Sequence, residues 1–409
     1  AFPVRLMAGQ HPLEVLIVVR IHDRELRLPG VPSNRLGAVQ PTAVIVLAAG
    51  LGTRMRSATP KVLHPIAGRT LLGHVLQAAK PLEAATYAVV VGHGRDEVSA
   101  EAAAHIPGVA TIVQDQQRGT GHAVSVALAA LPQVTAGPVL VLAGDTPLMR
   151  TADLAGALAA AASGATAAVV VTAKLSDPDG YGRIVRADDG SVSAIVEHRD
   201  ATEAQRSITE VNSGIYVFDA ALLRQTIAAI GTENSQGEVY LTDAVAILAG
   251  GGHRVAAVTV DAASIAGAND RAQLADLGKL MRDRIVRDLM LDGVTVVDPQ
   301  SVWVDCTASV APDAVLLPGV QLLGTTAVAA ATIGPECTLS DTVVEVGATV
   351  VRTTAVGARI GAGATVGPYT YLRPGTVLGE GAKAGGFVEI KNSVLAADAK
   401  VPHLSYVGD

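Results

Sequence analysis

Aromatic side chains are scarce: Phe, Trp and Tyr make up 3% of the 409 residues, with one Trp and three Phe. Single-stranded nucleic acids bind by stacking on aromatic rings, and this chain offers few such platforms. Positive charge is in deficit too, with 31 Lys and Arg against 38 Asp and Glu and a formal net charge of −7. That balance excludes a global basic field for nucleic acid or anionic lipid. Cysteine occurs only as Cys306 and Cys337, too few for a disulfide framework, so the chain reads as reduced and cytoplasmic. No apolar run reaches the roughly 20 residues of a membrane span. The longest run near the start, Leu13–Ile21, is broken by Glu14 and Arg20 and lacks the cleavage site of a signal peptide. What is abundant is apolar material, at 49%, and glycine, at 42 residues. Such a chain buries cores rather than staying disordered, and its length predicts two or three domains.

Three textures follow one another. Residues 1–42 carry scattered charges and prolines without sustained period and read as an extension. From 43 to 272, short continuous apolar runs (Ala43–Ala49, Ala88–Val91, Val139–Ala143, Ala167–Thr172) alternate with helix-forming stretches such as Thr151–Ala162. Fully buried strands alternating with helices predict an α/β fold around a mostly parallel sheet. Ligands in that architecture sit beyond the carboxyl ends of the strands. Residues 273–294 continue a helical stretch begun near Asp270 and read as a linker. From 295 onward aliphatic residues recur every sixth position: Val310, Leu316, Leu322, Val328; Ile333, Leu339; Val344, Val350, Val356; Ile360, Val366, Leu372, Leu378. A six-residue period predicts one short strand and one tight turn per side of a triangular coil, a parallel β-helix. Gly334, Gly357, Gly361, Gly367 and Gly379 follow aliphatics and are expected to turn the corners at positive φ.

After the first apolar run comes Leu47-Ala48-Ala49-Gly50-Leu51-Gly52-Thr53-Arg54-Met55, with Pro60-Lys61 downstream. Paired glycines bring backbone N–H groups close to an anion, and Arg54 and Lys61 would add positive charge for a polyphosphate. Neither GxGxxG nor GxxxxGK[ST] fits, since position 55 is Met.

This string resembles the signature of sugar-1-phosphate nucleotidylyltransferases. Further motifs narrow the resemblance: Gln114-Asp115-Gln116-Gln117-Arg118-Gly119-Thr120-Gly121-His122, Ala143–Leu148 around Asp145, Gly180-Tyr181-Gly182-Arg183-Ile184, Ile195-Val196-Glu197, Glu210–Gly214 around Asn212, and Glu238–Asp243. Together they look like the bifunctional bacterial N-acetylglucosamine-1-phosphate uridyltransferase and glucosamine-1-phosphate acetyltransferase family, over residues 43–409. The implied fold is a Rossmann-like nucleotidyltransferase domain followed by a left-handed β-helix of hexapeptide repeats. The implied reaction is attack of a sugar-1-phosphate oxygen on the α-phosphorus of UTP, releasing pyrophosphate, where alignment and charge neutralisation do most of the catalysis.

By the same resemblance Leu47, Ala48, Ala49 and Gly50 line the nucleotide, and Arg54 and Lys61 face the triphosphate. Gln114, Gln117, Gly119 and Thr120 would hold uracil, the amides donating and accepting at once. Gly182, Glu197 and Asn212 fall on sugar-binding positions, with Tyr181 as a wall. Asp145 and Asn269 would hold Mg²⁺, which takes one or two protein oxygens plus phosphates. Asp270 follows Asn269, so either one can be the N-cap of the following helix. In the repeats, Arg373 and Lys391 would bind glucosamine 1-phosphate, His403 would act as general base and Tyr406 would position the amine. Acetyl-CoA is the implied co-substrate, and a homotrimer built through the β-helix the implied assembly. The family segments that contact acetyl-CoA have no counterpart before Asp409, so the sequence reading expects uridylyl transfer with poor acetyl transfer or none. A nucleotidylyltransferase making ADP-glucose or a dTDP-sugar is the nearest rival. A non-catalytic assembly subunit would lack Arg54, Lys61 or Asp145, and all three are present.

Overall fold

The computed structural model describes residues 39–163 and 166–408; the extension and the Leu13–Ile21 run lie outside these, apart from residues 39–42. The first part is built on a mixed sheet. Its strands are β1 (Ala43–Ala48), β2 (Thr86–Val91), β3 (Ala110–Val113), β4 (Pro138–Ala143), β5 (Thr166–Lys174), β6 (Arg183–Arg186), β7 (Val192–Val196), β8 (Glu210–Asp219) and β9 (Arg254–Thr259). The order is β9-β5-β8-β4-β1-β2-β3, with β6 pairing β8 and β7. Strands β4, β1, β2 and β3 run parallel, whereas β8 is antiparallel to both β4 and β5.

Alternation along β1 explains why its sequence is apolar throughout. Ala43 and Ile45 enter one core, with α3 (Thr120–Ala130), α5 (Ala220–Ile227) and α6 (Asp243–Gly250) packed over it. Val44 and Val46 enter the core beneath α1 (Leu71–Ala79), α2 (Arg95–His105) and α4 (Thr151–Ala162). Both faces are covered, so a polar residue has no water to reach from either.

Helix α7 (Arg271–Leu291) leads into the repeats. From Thr295 to Val407, pairs and triplets of strand residues stack into three parallel sheets, the faces of a left-handed β-helix. Leu322, Leu339, Ala355, Leu372 and Ile390 occupy one inward column on successive coils. Here the six-residue count slips: Ala355, fully buried, carries the inward position expected for Val356. A one-residue shift reverses the face a side chain points to. Glycine also does less of the corner work than expected. Gly334, Gly357 and Gly367 have positive φ, but so do Asp313, Glu336, Asp341, Arg352, Tyr369, Phe387, Asn392, Asp398 and Leu404. Gly361 and Gly379 do not; a Cβ there would lie 2.6 Å and 2.7 Å from the backbone of the next coil. Close coil stacking is what excludes a side chain at those two positions. Cys306 and Cys337 are free thiols whose ionisation burial pushes to higher pH.

Candidate active site

All fifteen residues expected for the nucleotidyl-transfer site line one cavity of about 950 Å³ beyond the carboxyl ends of β1 and β4. The phosphate-loop residues follow β1 directly. Gly52 sits at φ +59, and a Cβ there would lie 2.7 Å from Cβ of Lys61, so only glycine lets the two segments close. Arg54 is exposed in the short turn Thr53–Met55, and Lys61 opens the turn Lys61–Leu63 behind Pro60.

At the floor, Nζ of Lys61 donates to Oδ2 of Asp145 at 2.5 Å and to Oδ1 of Asn269 at 3.4 Å. Two protein oxygens therefore converge on one cation. The ambiguity between Asn269 and Asp270 resolves by geometry: Asp270 is the N-cap of α7, accepting from the Gln273 N–H at 2.9 Å, while the Asn269 side chain faces Lys61. No cluster of three or more His, Cys, Asp or Glu that could hold a metal occurs among the described residues. The Asp145–Asn269 pair fits an oxygen-seeking divalent ion completed by substrate phosphates, and the Lys61 ammonium marks where positive charge is favoured.

On one flank, Gln114 is buried, its Nε2 within 2.9 Å of Nδ1 of His122, and Nε2 of Gln117 donates to the Ala49 carbonyl at 2.5 Å. Gly119 has φ +100, and a Cβ would lie 2.5 Å from the Val239 carbonyl; that contact is what demands glycine. Thr120 Oγ1 accepts from the Leu241 N–H at 3.1 Å, fixing the same segment. On the other flank, a Cβ on Gly182 would lie 3.5 Å from Oε2 of Glu197 and 3.6 Å from Cβ of Asn212, so Gly182 keeps that pocket open. Thr242 donates to Oε1 of Glu197 at 3.1 Å. Burial pushes the Glu197 carboxyl above its ordinary range, against that hydrogen bond and with help from Asp200 and Asp243. Beneath the pocket, Arg183 is fully buried and donates to the Tyr181 and Arg206 carbonyls. The cavity also recruits His198, Tyr216, Thr242 and Gln273. Thr242 belongs to the Glu238–Asp243 motif, whereas Tyr216 and Gln273 carry no sequence signal of their own.

The second set lies on the outer surface of the last coils. Tyr371, Glu389 and Tyr406 stack in register, with Leu372, Ile390 and Val407 inward beside them. Arg373 donates to Glu389 at 3.1 Å, a partner the sequence reading did not assign. A Cβ on Gly408 would lie 2.5 Å from the Tyr406 hydroxyl and 3.3 Å from Cβ of Lys391, so Tyr406 and Lys391 share one surface. His403 is exposed two residues past the strand Lys400–Val401.

Residues 44–237 match the model of the MobA-like NTP transferase domain. The bifunctional protein GlmU of Streptomyces coelicolor is 52% identical over 377 residues, covering 91% of this chain and 78% of the relative. The chain belongs to the GlmU family. The GlmU of Mycolicibacterium smegmatis is 50% identical over 373 residues, with 90% and 77% covered. A UDP-glucose pyrophosphorylase complexed with UDP-glucose superposes with a TM-score of 0.49 at 16% identity, over 60% of this chain and 99% of that one. A GlmU-family chain is a transferase of two activities. It makes UDP-N-acetylglucosamine for cell-wall synthesis by acetylating glucosamine 1-phosphate and uridylylating the product.

Proposed function

We propose that the 950 Å³ cavity performs the uridylyl transfer, with Lys61, Asp145 and Asn269 at its reacting end. The observation that carries this reading is the convergence of Asp145 and Asn269 on the Lys61 ammonium, between the phosphate loop and the Gly182–Glu197–Asn212 pocket. Arg54 and Lys61 pull the triphosphate and the sugar phosphate together against their mutual repulsion. An oxygen of N-acetylglucosamine 1-phosphate forms the new bond to the α-phosphorus of UTP, and the bond to pyrophosphate breaks. Asp145 and Asn269 would hold Mg²⁺, which when bound neutralises charge on the phosphates. Gln114, Gln117 and the Gly119-Thr120 backbone hold uracil; Gly182, Glu197 and Asn212 hold the sugar, with Tyr181 as wall.

The same reading gives the outer surface of the last coils to acetyl transfer from acetyl-CoA. Arg373 and Lys391 take the phosphate of glucosamine 1-phosphate, His403 accepts the amine proton and Tyr406 positions the substrate. Residues 43–272 form the uridyltransferase domain, 273–294 the linker and 295–409 the acetyltransferase domain, which assembles as a cytoplasmic homotrimer. No helix among the described residues is long and apolar enough to cross a membrane.

Pyrophosphate release with Mg²⁺ tests the first reading, with UTP, dTTP and ATP offered against N-acetylglucosamine 1-phosphate and glucose 1-phosphate. UTP with N-acetylglucosamine 1-phosphate is expected to dominate; preference for any other pair overturns the assignment.

A further inference from the structure

Strand β8 carries Asn212 and Tyr216 four residues apart, a spacing that in regular strand separates two side chains by about 13 Å. Their contact exists because the strand is irregular between them. Asn212 pairs with Thr172 and Tyr216 with Val170, so three residues of β8 oppose one of β5. Gly214 accommodates the bulge at φ +77, and the Ser213 hydroxyl closes it, donating to the Val171 carbonyl at 2.7 Å and accepting from the Ile215 N–H at 3.1 Å.

This folding brings Nδ2 of Asn212 within 2.7 Å of the Tyr216 hydroxyl, while Oδ1 of Asn212 accepts the Gly214 N–H at 3.1 Å. The backbone N–H can only donate, so the atom facing it must be the amide oxygen. Rotating the amide by half a turn would set N–H against the Gly214 N–H and break that bond, while the Tyr216 hydroxyl, donor and acceptor alike, would bond either end. The Tyr216 hydroxyl is itself held in place: its ring is 3% exposed and stacks on Phe218 at 5.4 Å. In a chain so poor in aromatics, two of them stand together behind Asn212.

The geometry points to Tyr216 as a positioning residue that holds the Asn212 amide, its polarity set by the Gly214 N–H, in one place toward the sugar, and so contributes to discrimination at the 2-position. This rests on the reading that Asn212 faces the sugar phosphate. Without the hydroxyl the amide would be held only through the Gly214 N–H and could swing about that bond; held at both ends it presents a single pattern. An isosteric Y216F retains the Phe218 stack and removes only the lock.

The test is a double-mutant cycle of Y216F, N212A and both together. The readouts are kcat/KM for N-acetylglucosamine 1-phosphate and for glucose 1-phosphate at saturating UTP, and KM for UTP. Y216F is expected to lower kcat/KM for N-acetylglucosamine 1-phosphate about five- to tenfold, the effect of one neutral hydrogen bond. The preference over glucose 1-phosphate should narrow, and KM for UTP should stay within about twofold, which also shows the variant to be folded. In the N212A background Y216F should add less than about twofold. Equal losses with both sugars, no change in the preference, or an undiminished Y216F effect in N212A would overturn the role of Tyr216. If N212A alone leaves kcat/KM for N-acetylglucosamine 1-phosphate unchanged, the reading of Asn212 fails and the proposal with it.

Discussion

Acidification is expected to weaken the first domain through one buried imidazole. His74, on α1, is 6% exposed, and its Nε2 bonds the Ile66 carbonyl at 2.9 Å. Burial pushes its pKa down from 6.5 to about 4; the Ile66 bond opposes this, and Arg69, His105 and Arg284 add to it. Between these two values the unfolded chain binds a proton that the native one refuses. The stability His74 contributes is therefore complete above about pH 6.5 and is lost as pH falls toward 4. The gap, at about 1.4 kcal/mol for each pH unit, comes to roughly 3 kcal/mol, a large share of a domain's 5–15 kcal/mol. The bond in question ties α1 to the hairpin Pro65–Thr70. That hairpin meets the β-helix, its Ala67 carbonyl accepting from the Cys306 N–H at 2.9 Å. Urea unfolding followed by far-ultraviolet circular dichroism reports the helices, which belong almost entirely to residues before 292. Measured from pH 7 to pH 4, wild type should lose about 3 kcal/mol more than H74Q. The difference should steepen to about 1.4 kcal/mol per pH unit in mid-range. A difference flat with pH, or a His74 imidazole titrating near 6.5 by NMR, would refute the reasoning.

Three further outcomes follow from the site. Because burial raises the Glu197 carboxyl, the ionised form costs stability that the protonated form does not; this penalty grows as pH rises past the ordinary value of 4.5. E197Q should therefore melt higher than wild type at pH 7, with the advantage fading toward pH 4, while its kcat/KM for the sugar phosphate falls at least about tenfold. G182A places a methyl 3.0 Å from Cγ2 of Ile195 and beside Glu197; it should raise KM for the sugar phosphate about tenfold or more and leave KM for UTP unchanged. D145N should cut uridylyl transfer about a hundredfold without touching acetyl transfer, and R373A should do the reverse, since the two residues belong to separate surfaces. Coupled assays of pyrophosphate release and free amine separate these, and a shared loss would contradict two independent sites.

What the sequence made legible was whatever rested on local chemistry. Buried parallel strands announce themselves as unbroken apolar runs, and β1, β2, β4 and β5 lie where those runs are, β1 one residue shorter and the others one to three residues longer. The coil period was visible because one inward side chain per face must be aliphatic. It failed at Ala355, where the corner between Val350 and Thr353 is one residue shorter than the six-residue count requires, so that Ala355 rather than Val356 points inward. Residues whose value depends on a distant partner were not legible. Tyr216 reads as an ordinary strand aromatic until the bulge at Gly214 brings it against Asn212. Glu389 reads as a solvated carboxylate until coil stacking sets it beside Arg373. The glycines at 119, 361 and 379 looked like turn or ligand-approach residues, but each is fixed by a backbone carbonyl or peptide that only the tertiary fold supplies.

The placement of Asp145 and Asn269 follows from how α7 is held along its whole length. At its start, Asp270 caps the helix, Gln273 accepts the Asn269 N–H at 2.8 Å, and Arg271 reaches the Met55 carbonyl of the phosphate loop at 3.4 Å. Along its middle, Leu277 and Met281 pack with Leu148 and Ile66, and Arg284 donates to the Leu148 carbonyl at 2.8 Å, three residues beyond Asp145. Also mid-helix, Arg282 donates to the Gln300 carbonyl at 2.7 Å and lies 4.9 Å from the Trp303 ring centroid. Val286 enters the β-helix core, with Ile285 and Leu289 against it. One helix of 21 residues thus holds Asn269 just ahead of its Asp270 cap, clamps the loop that bears Asp145, and is rooted in the first coils. The separation of the two oxygen donors is set by that helix rather than by the loops that hold them. A site whose chemistry is mainly alignment gains from this, because a helix anchored at both ends leaves the residue bonded to its first turn little freedom to drift.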